Sequence, residues 1–423
     1  MASDADHTAI SFVAGDVRAV EHPGILGLHT VFVREHNRIC DRLILEGLTN
    51  DEVMYQKARK EVGALIQVIT YQEFLPAIGI SLSPYNNYNS NARPDISNTF
   101  ATAGYRIGHT MVADDILLRD DECEEVGPSE IDLIDAFFTP QLILDHGIDA
   151  FLKGFAAHTQ YETDTKVNDI LRNFLFGSPT APVRSGLDLA SINIQRGRDH
   201  GLPSYSDIRA HYTGVTITSF SQITSNTALA SDLQTLYGTV TNVDLWIGIL
   251  AEDHLPNKSV GATMHAMLKS QFEKLRDGDY YFYKNDPYLP SNIRNQIKHT
   301  SFADVIQRNT DLTSLQENVF FSELCPGDSL EDDRLMAISV SSKSFVTAYP
   351  NPVSDILNLE IQNVDQPCTI KLFGPEGKLV KSMKTSGTEN KITWNLNNLT
   401  NGLYLLQMTY GNQSETIRLV KAE

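Results

Sequence analysis

The sequence predicts a multidomain chain, with a mainly α-helical region followed by a small all-β, immunoglobulin-like sandwich. Three observations predict it. In residues 1–335, apolar residues recur at helical spacing between cap and stop signals. Residues 336–346, beginning "MAISVSSKSF", are small and polar, as in a linker. From 347 to 423 the apolar residues fall in short alternating runs separated by Asn, Gly, Pro and Asp, the texture of antiparallel strands.

The elements run in order along the chain. Pro23 opens a helix that ends near Gly47. Thr49 and Glu52 form a capping-box pattern ahead of a helix whose Val53, Ala58, Val62, Leu65, Val68 and Ile69 share helical spacing, with Pro76 closing it. The spacing of Ile96, Phe100, Ala103 and Ile107 predicts one helix over 96–112, with His109 on the side away from that stripe. Residues 260–276 give another helix, stopped by "DGD". In the tail, "ILNLEI", "TIKLF", "KITWNL", "GLYLLQMTY" and "ETIRLVK" read as strands, and Asn401-Gly402 reads as a hairpin signal.

Composition narrows the function classes. A formal net charge of −19 argues against nucleic acid as a partner, which demands clustered Lys and Arg. No run of eighteen apolar residues is present, so no transmembrane helix is expected. "MASDADHTAI" has no basic region leading into an apolar core, so no signal peptide is read in this chain. Cys40, Cys123, Cys325 and Cys368 are scattered without metal-ligand spacing, which argues against structural zinc and leaves disulfide pairing open.

Taken alone, His109 in "YRIGHTMV" reads as an exposed or satisfied histidine. Asn193, Gln195, Arg196, Arg198, Asp199 and His200 read as a solvated charged stretch, and Arg18, Glu21 and "REHNR" at 34–38 as the charged face of a helix. Together, however, "GD.R..E.PG...LHT.F.REHNR", "YR.GHTM" and "L...NIQRGRDHG" resemble the animal-type haem peroxidases of the peroxidase–cyclooxygenase superfamily, over roughly residues 11–325 and in the family's order. The resemblance implies haem b as cofactor, with His109 as the proximal ligand of its iron. A neutral imidazole that binds a metal through one nitrogen needs an acceptor for its other N–H, and the family's acceptor corresponds to Asn193. Arg106 and Arg196 correspond to partners of the haem propionates, a role suited to guanidinium. Arg18 corresponds to the distal arginine, which stabilises charge as the peroxide O–O bond breaks. Glu21 corresponds to a glutamate that some members link to haem as an ester. The polar residues of "REHNR" read as helix-packing contacts.

The resemblance also marks what these residues lack. Family members carry a distal histidine and a calcium loop well upstream of the position of Arg18, and neither is matched here; Asp6 and His7 have the wrong spacing for the distal site. The expectation is a partial chain with impaired activity. Its partners would be hydrogen peroxide and a halide or small organic donor. Two other outcomes are a non-catalytic haem-binding or surface protein and a fatty-acid oxygenase. The tail motifs "AYPNPVSDILNLEI", "KLFGPEGKLV" and "LTNGLYLLQM" resemble the C-terminal sorting domain of type IX secretion. That implies export by this machinery to the outside or the outer-membrane surface of a Gram-negative bacterium.

Overall fold

His22 starts the first long helix. Its Nδ1 accepts the Gly24 N–H at 3.0 Å, and Pro23 occupies the first helical position, where no N–H is needed. In the computed structural model this helix, α1, is Pro23–Leu45. The residues described are 2–3, 10–173, 175, 187–326, 346–361, 367–374, 378–386, 391–410 and 413–422. Gly47, at φ +90°, turns the chain beyond the last turn of α1 and lets Leu48 N–H reach the Leu43 carbonyl at 3.0 Å.

The next helix, α2, is Asp51–Val68, and its cap corrects the expected capping box. Asn50, not Thr49, is the N-cap, and its Oδ1 accepts the Val53 N–H at 3.0 Å. Asn is at least as good a cap as Thr, and the helix starts one residue later. Val53 lies exposed, while Met54, Ala58, Leu65 and Val68 are buried. The helix continues as a π-helical turn, Ile69–Phe74, and a final α turn, Leu75–Ala77, that contains Pro76.

The single helix expected over 96–112 is also corrected. A short helix α3, Asn98–Thr102, breaks at Ala103 (φ −131°, ψ −60°) into a 3₁₀ segment, Gly104–Thr110, itself kinked at Arg106. The break still buries Phe100, Ala103 and Ile107, but the tighter 3₁₀ winding redirects the side chains beyond it. Ile96, counted in the apolar stripe, is exposed. The antiparallel strands β1, Asp115–Arg119, and β2, Glu125–Asp132, come next, and then helix α4, Gln141–Ala157. Gly154 of α4 is required: a Cβ there would lie 1.8 Å from the Leu117 carbonyl oxygen. Further along are α5, Leu189–Asp199, α6, Tyr205–Thr213, α7, Leu245–Ala251, and α8, Ala262–Asp277.

Two large cores organise this region, with a small cluster of Ile39, Leu43, Met54 and Ala58 between α1 and α2. One joins Leu26 and Val31 of α1, Leu65 and Val68 of α2, Ile116 and Leu118 of β1, and Phe151 of α4. The other joins Phe100 and Ile107 to Tyr205, Trp246, Ile249, Met264, Met267 and Phe272. The charged motif of α1 serves packing: Glu35 is fully buried and accepts hydrogen bonds from Arg38, Arg308 and Asn309. Cys123 and Cys325 form a disulfide with their Cα atoms 5.5 Å apart, a pairing left open by the sequence.

The chain divides into two units, Met1–Leu330 and Glu331–Glu423. Of the expected linker at 336–346, residues 336–345 lie outside the described residues, and Val346 opens a strand. The second unit holds β3, Val346–Tyr349, β4, Ile356–Ile361, β5, Cys368–Phe373, β6, Leu379–Thr385, β7, Lys391–Asn395, β8, Gly402–Tyr410, and β9, Gln413–Lys421. They form one antiparallel sheet in the order β9-β8-β5-β6 and another in the order β3-β4-β7. Leu357, Leu359 and Trp394 of one sheet share a core with Ile370, Leu406 and Met408 of the other. Asn401-Gly402 is not a two-residue hairpin. It ends the loop that crosses from β7 in one sheet to β8 in the other, whereas the β8–β9 hairpin closes at the Tyr410–Gln413 pair.

Candidate functional site

The 3₁₀ segment Gly104–Thr110 carries His109 and is held from several sides. Gly104 packs so tightly that a Cβ would sit 2.4 Å from Met267 Sδ of α8. The indole Nε1–H of Trp246 on α7 donates to the Arg106 carbonyl at 3.4 Å, and Arg106 N–H donates to the Ala103 carbonyl at 3.1 Å. His109 is half-buried, and its Nε2 has no hydrogen-bond partner among the described residues. Burial, with the charge of Arg106 adding to it and Asn193 opposing, pushes the His109 pKa down to about 4, so the ring is neutral at pH 7. A Cβ built on Gly108 would meet nothing within 4 Å, so the backbone beside His109 borders open space.

Asn193 comes from α5. That helix starts at Asp188, whose carboxylate accepts the Ser191 N–H at 3.0 Å. Fully buried on its inner face, Asn193 places Nδ2 2.7 Å from His109 Nδ1, while its Oδ1 accepts a hydrogen bond from Arg106 Nη1 at 2.6 Å. Three residues 87 or fewer positions apart thus form one chain: Arg106, Asn193, His109. The expected acceptor role differs from this arrangement, because the Asn193 oxygen faces Arg106 and the amide nitrogen faces the ring. Sequence reasoning missed this partner of Asn193, and no local spacing signals it. Trp246 was missed as well.

The rest of the charged stretch divides by role. Arg196 is exposed, its guanidinium has no hydrogen-bond or ion-pair partner among the described residues, and it lies close enough for its charge to act on Arg106. Burial lowers the Arg106 pKa, and Arg196 adds to that effect. Arg198 instead locks the fold through a paired contact with Asp244, at 3.0 and 2.7 Å. His200 Nδ1 lies 2.9 Å from Asn98 Oδ1. A cavity of about 200 Å³ beside Asn193 is lined by Arg198, Ser204, Asp244 and Trp246. It is smaller than the roughly 300–1,000 Å³ of sites for drug-sized ligands, so a large cofactor does not sit there.

Among the described residues, no hydrogen bond or ion pair joins Arg18 or Glu21 to this group. The Arg18 side chain is 77% exposed and pairs with Asp16 through Nε–Oδ1 at 2.9 Å and Nη2–Oδ2 at 2.7 Å. Glu21 is half-buried; burial raises its carboxyl pKa, while Arg18 opposes the shift. His7 lies outside the described residues. Among the described residues, no three His, Cys, Asp or Glu side chains are placed to hold a metal ion.

His109, Asn193 and Arg106 thus form one hydrogen-bonded group, with the His109 ring neutral and half-buried. The chain belongs to the animal haem peroxidase family, whose sequence model matches residues 1–320. Residues 347–422 match the secretion system C-terminal sorting domain, which indicates secretion or display at the cell surface in bacteria. No helix among the described residues is long and apolar enough to cross a membrane. A peroxidasin homologue of Caenorhabditis elegans is 36% identical over 324 residues, covering 73% of this chain and 24% of that protein. Mouse myeloperoxidase is 35% identical over 352 residues, covering 78% of this chain and 48% of the relative. The chain therefore spans about half, or less, of the length of these relatives. Peroxidase A from Dictyostelium discoideum superposes with a TM-score of 0.67 at 32% identity, over 75% of this chain and 62% of that one. A fatty acid alpha-dioxygenase of Oryza sativa shares the fold alone, with a TM-score of 0.60 at 17% identity.

Proposed function

We propose that this chain is a secreted haem-dependent peroxidase that uses hydrogen peroxide to oxidise halides or small organic donors. The observation that carries this reading is the group formed by His109, Asn193 and Arg106. The residues fit haem on three counts. The His109 ring is neutral and its Nε2 has no hydrogen-bond partner among the described residues, as suits an iron ligand. Gly108 is exposed and a Cβ there would meet nothing within 4 Å, so the backbone beside His109 does not bar the approach of a flat group. Among the described residues, neither Arg106 nor Arg196 pairs with a carboxylate, so their charge suits the haem carboxylates.

When bound, haem supplies the two-electron chemistry that splits peroxide. The chain's own residues do the rest. His109 would hold the iron and Asn193 would orient the ring. Accepting the Nδ1–H of His109, as the ligated form requires, needs the Asn193 amide to turn and Arg106 to move its N–H to a haem carboxylate. Glu21, its carboxyl pushed up by burial, would be the residue for an ester link by its correspondence to the family's glutamate. Arg18 would stabilise charge on the departing oxygen only after leaving Asp16. The unmatched distal histidine, the proton-transfer group of the family, is the reason to expect low activity from these residues alone. It also favours a second reading, a haem-binding protein without turnover. The tail directs export through type IX machinery in a Gram-negative bacterium.

Reconstitution with haem tests the proposal. The full chain should develop a Soret band that His109→Ala abolishes. Failure of both proteins to bind haem overturns the assignment. Peroxide-dependent dye oxidation no faster than free haem would leave the second reading.

A further inference from the structure

We propose that the exposed tyrosines Tyr88, Tyr280, Tyr281 and Tyr288 form a surface oxidation site for phenolic donors too large to approach His109, wired to it by a spine of aromatic rings. The inference rests on the haem reading above. The spine begins at Tyr105, on the same 3₁₀ segment as His109. Its ring lies 5.6 Å from Phe272, whose ring is 6.2 Å from Tyr71, and Tyr71 is 5.5 Å from Phe282. From Phe282 ring contacts reach Tyr85 and Tyr283, each at 4.8 Å, and the step outward to Tyr281 runs through the peptide bond between chain neighbours rather than through a ring contact. Tyr281 lies 5.2 Å from Tyr280 and 6.3 Å from Tyr288, and Tyr280 lies 5.3 Å from Tyr88.

All these separations are ordinary aromatic contacts, and packing alone accounts for the inner rings. It does not account for the outer ones. Tyr88, Tyr280, Tyr281 and Tyr288 are 38, 47, 52 and 70% exposed, yet they remain in mutual ring contact. Lys60 helps to hold two of them: its Nζ stands 4.8 Å over Tyr281 and 5.6 Å over Tyr288 while pairing with Asp286 at 2.5 Å. Inside, Phe272 and Phe282 are buried and fill the gaps on either side of Tyr71. Tyr71 occupies the π-helical turn Ile69–Phe74, an irregularity that helices tend to keep at functional positions.

The chemistry balances with a peroxide or peracid as oxidant. A phenolic donor at the surface loses one electron and one proton and becomes a phenoxyl radical. The electron passes inward from the exposed tyrosines through Tyr71 and Tyr105, each oxidised in turn and restored to its phenol. It would end at haem, which when bound supplies the two-electron chemistry toward peroxide. Two such donors reduce one hydrogen peroxide to two waters, and the protons they release supply the hydrogens of those waters.

The test uses the haem-loaded full chain, oxidised with peroxyacetic acid so that the reaction depends less on a distal base. A nitroso spin trap is present, and adducts are located by peptide mass mapping. Adducts are expected on the exposed tyrosines. Tyr71→Phe should remove most of them while leaving the Soret band and bromide oxidation unchanged. The double variant Tyr281→Phe with Tyr288→Phe should lose oxidation of tyramine-substituted dextran but not of bromide. Adducts unaffected by Tyr71→Phe, or no adducts on the exposed tyrosines while bromide is consumed, overturn the inference and leave the haem reading intact. Absence of a His109-dependent Soret band overturns both.

Discussion

Asn193 touches both the ring of His109 and the guanidinium of Arg106. Asn193→Ala removes two partners at once and leaves a part-buried Arg106 N–H unpaired, at a cost of about 1–3 kcal/mol. The urea midpoint of the haem-free chain should fall accordingly. With haem bound, the His109 ring loses the partner that would strengthen its donation, so the reduction potential of the iron should rise. An unchanged potential would remove Asn193 from that role. His22 gives a pH prediction. Its Nδ1 must be unprotonated to accept the Gly24 N–H, and burial pushes its pKa from 6.5 down to about 4. Between those values the unfolded chain takes up a proton that the folded chain refuses. The stability is therefore fully present above about 6.5 and is lost as pH falls toward 4. His22→Asn keeps an acceptor at the cap without the titration, so its urea midpoint should vary less across that window. The whole dependence will not vanish, because His109 shifts the same way. Equal slopes for both proteins would show that His22 does not titrate as described.

Among the elements, α1 depends on one buried carboxylate. Burial pushes the Glu35 carboxyl up, but hydrogen bonds from Arg38, Arg308 and Asn309 outweigh it and hold the carboxyl below its ordinary value. Arg308 and Asn309 come directly after the helix Phe302–Gln307, so Glu35 ties that helix to α1 across more than 270 residues. Glu35→Gln leaves two guanidiniums without their charge partner. Breaking a buried pair this way costs about 3–5 kcal/mol, and the lower end applies because Arg38 and Arg308 keep some contact with water. A urea midpoint within error of the parent chain would show that the network is dispensable. The second unit illustrates a different element property. β6, Leu379–Thr385, lies at the edge of its sheet, is mostly exposed, and carries Lys381 and Lys384. Charged edge strands resist pairing with other chains, and the same feature weakens their signal in the sequence.

For the whole molecule, the Cys123–Cys325 bond closes a loop spanning 202 positions within the first unit. On the chain-entropy account, such a closure stabilises the folded state by roughly 5 kcal/mol relative to the reduced chain. Thermal unfolding of the first unit should therefore move to lower temperature in dithiothreitol, and Cys325→Ser should reproduce the shift without reductant. A midpoint indifferent to both would mean that the bond does not form in solution. An oxidising location outside the cell, to which the sorting domain points, is where such a bond persists.

Much of this architecture is local and was therefore legible. Helical spacing placed α1, α2 and α8, and strict alternation placed β4, β5, β7, β8 and β9, because period and cap chemistry act within a few residues. The motifs around His109 and Asn193 pointed to one family without any coordinates. Other features depend on residues meeting across the chain. Spacing did not show that Ala103 would break the predicted helix, that Asn50 would displace Thr49 as the cap, or that Cys123 would find Cys325. Nor did it show that Arg106 would occupy the oxygen of Asn193 from 87 residues away. Those outcomes are decided by which buried polar groups and apolar faces must be satisfied together, and only the packed tertiary structure decides them.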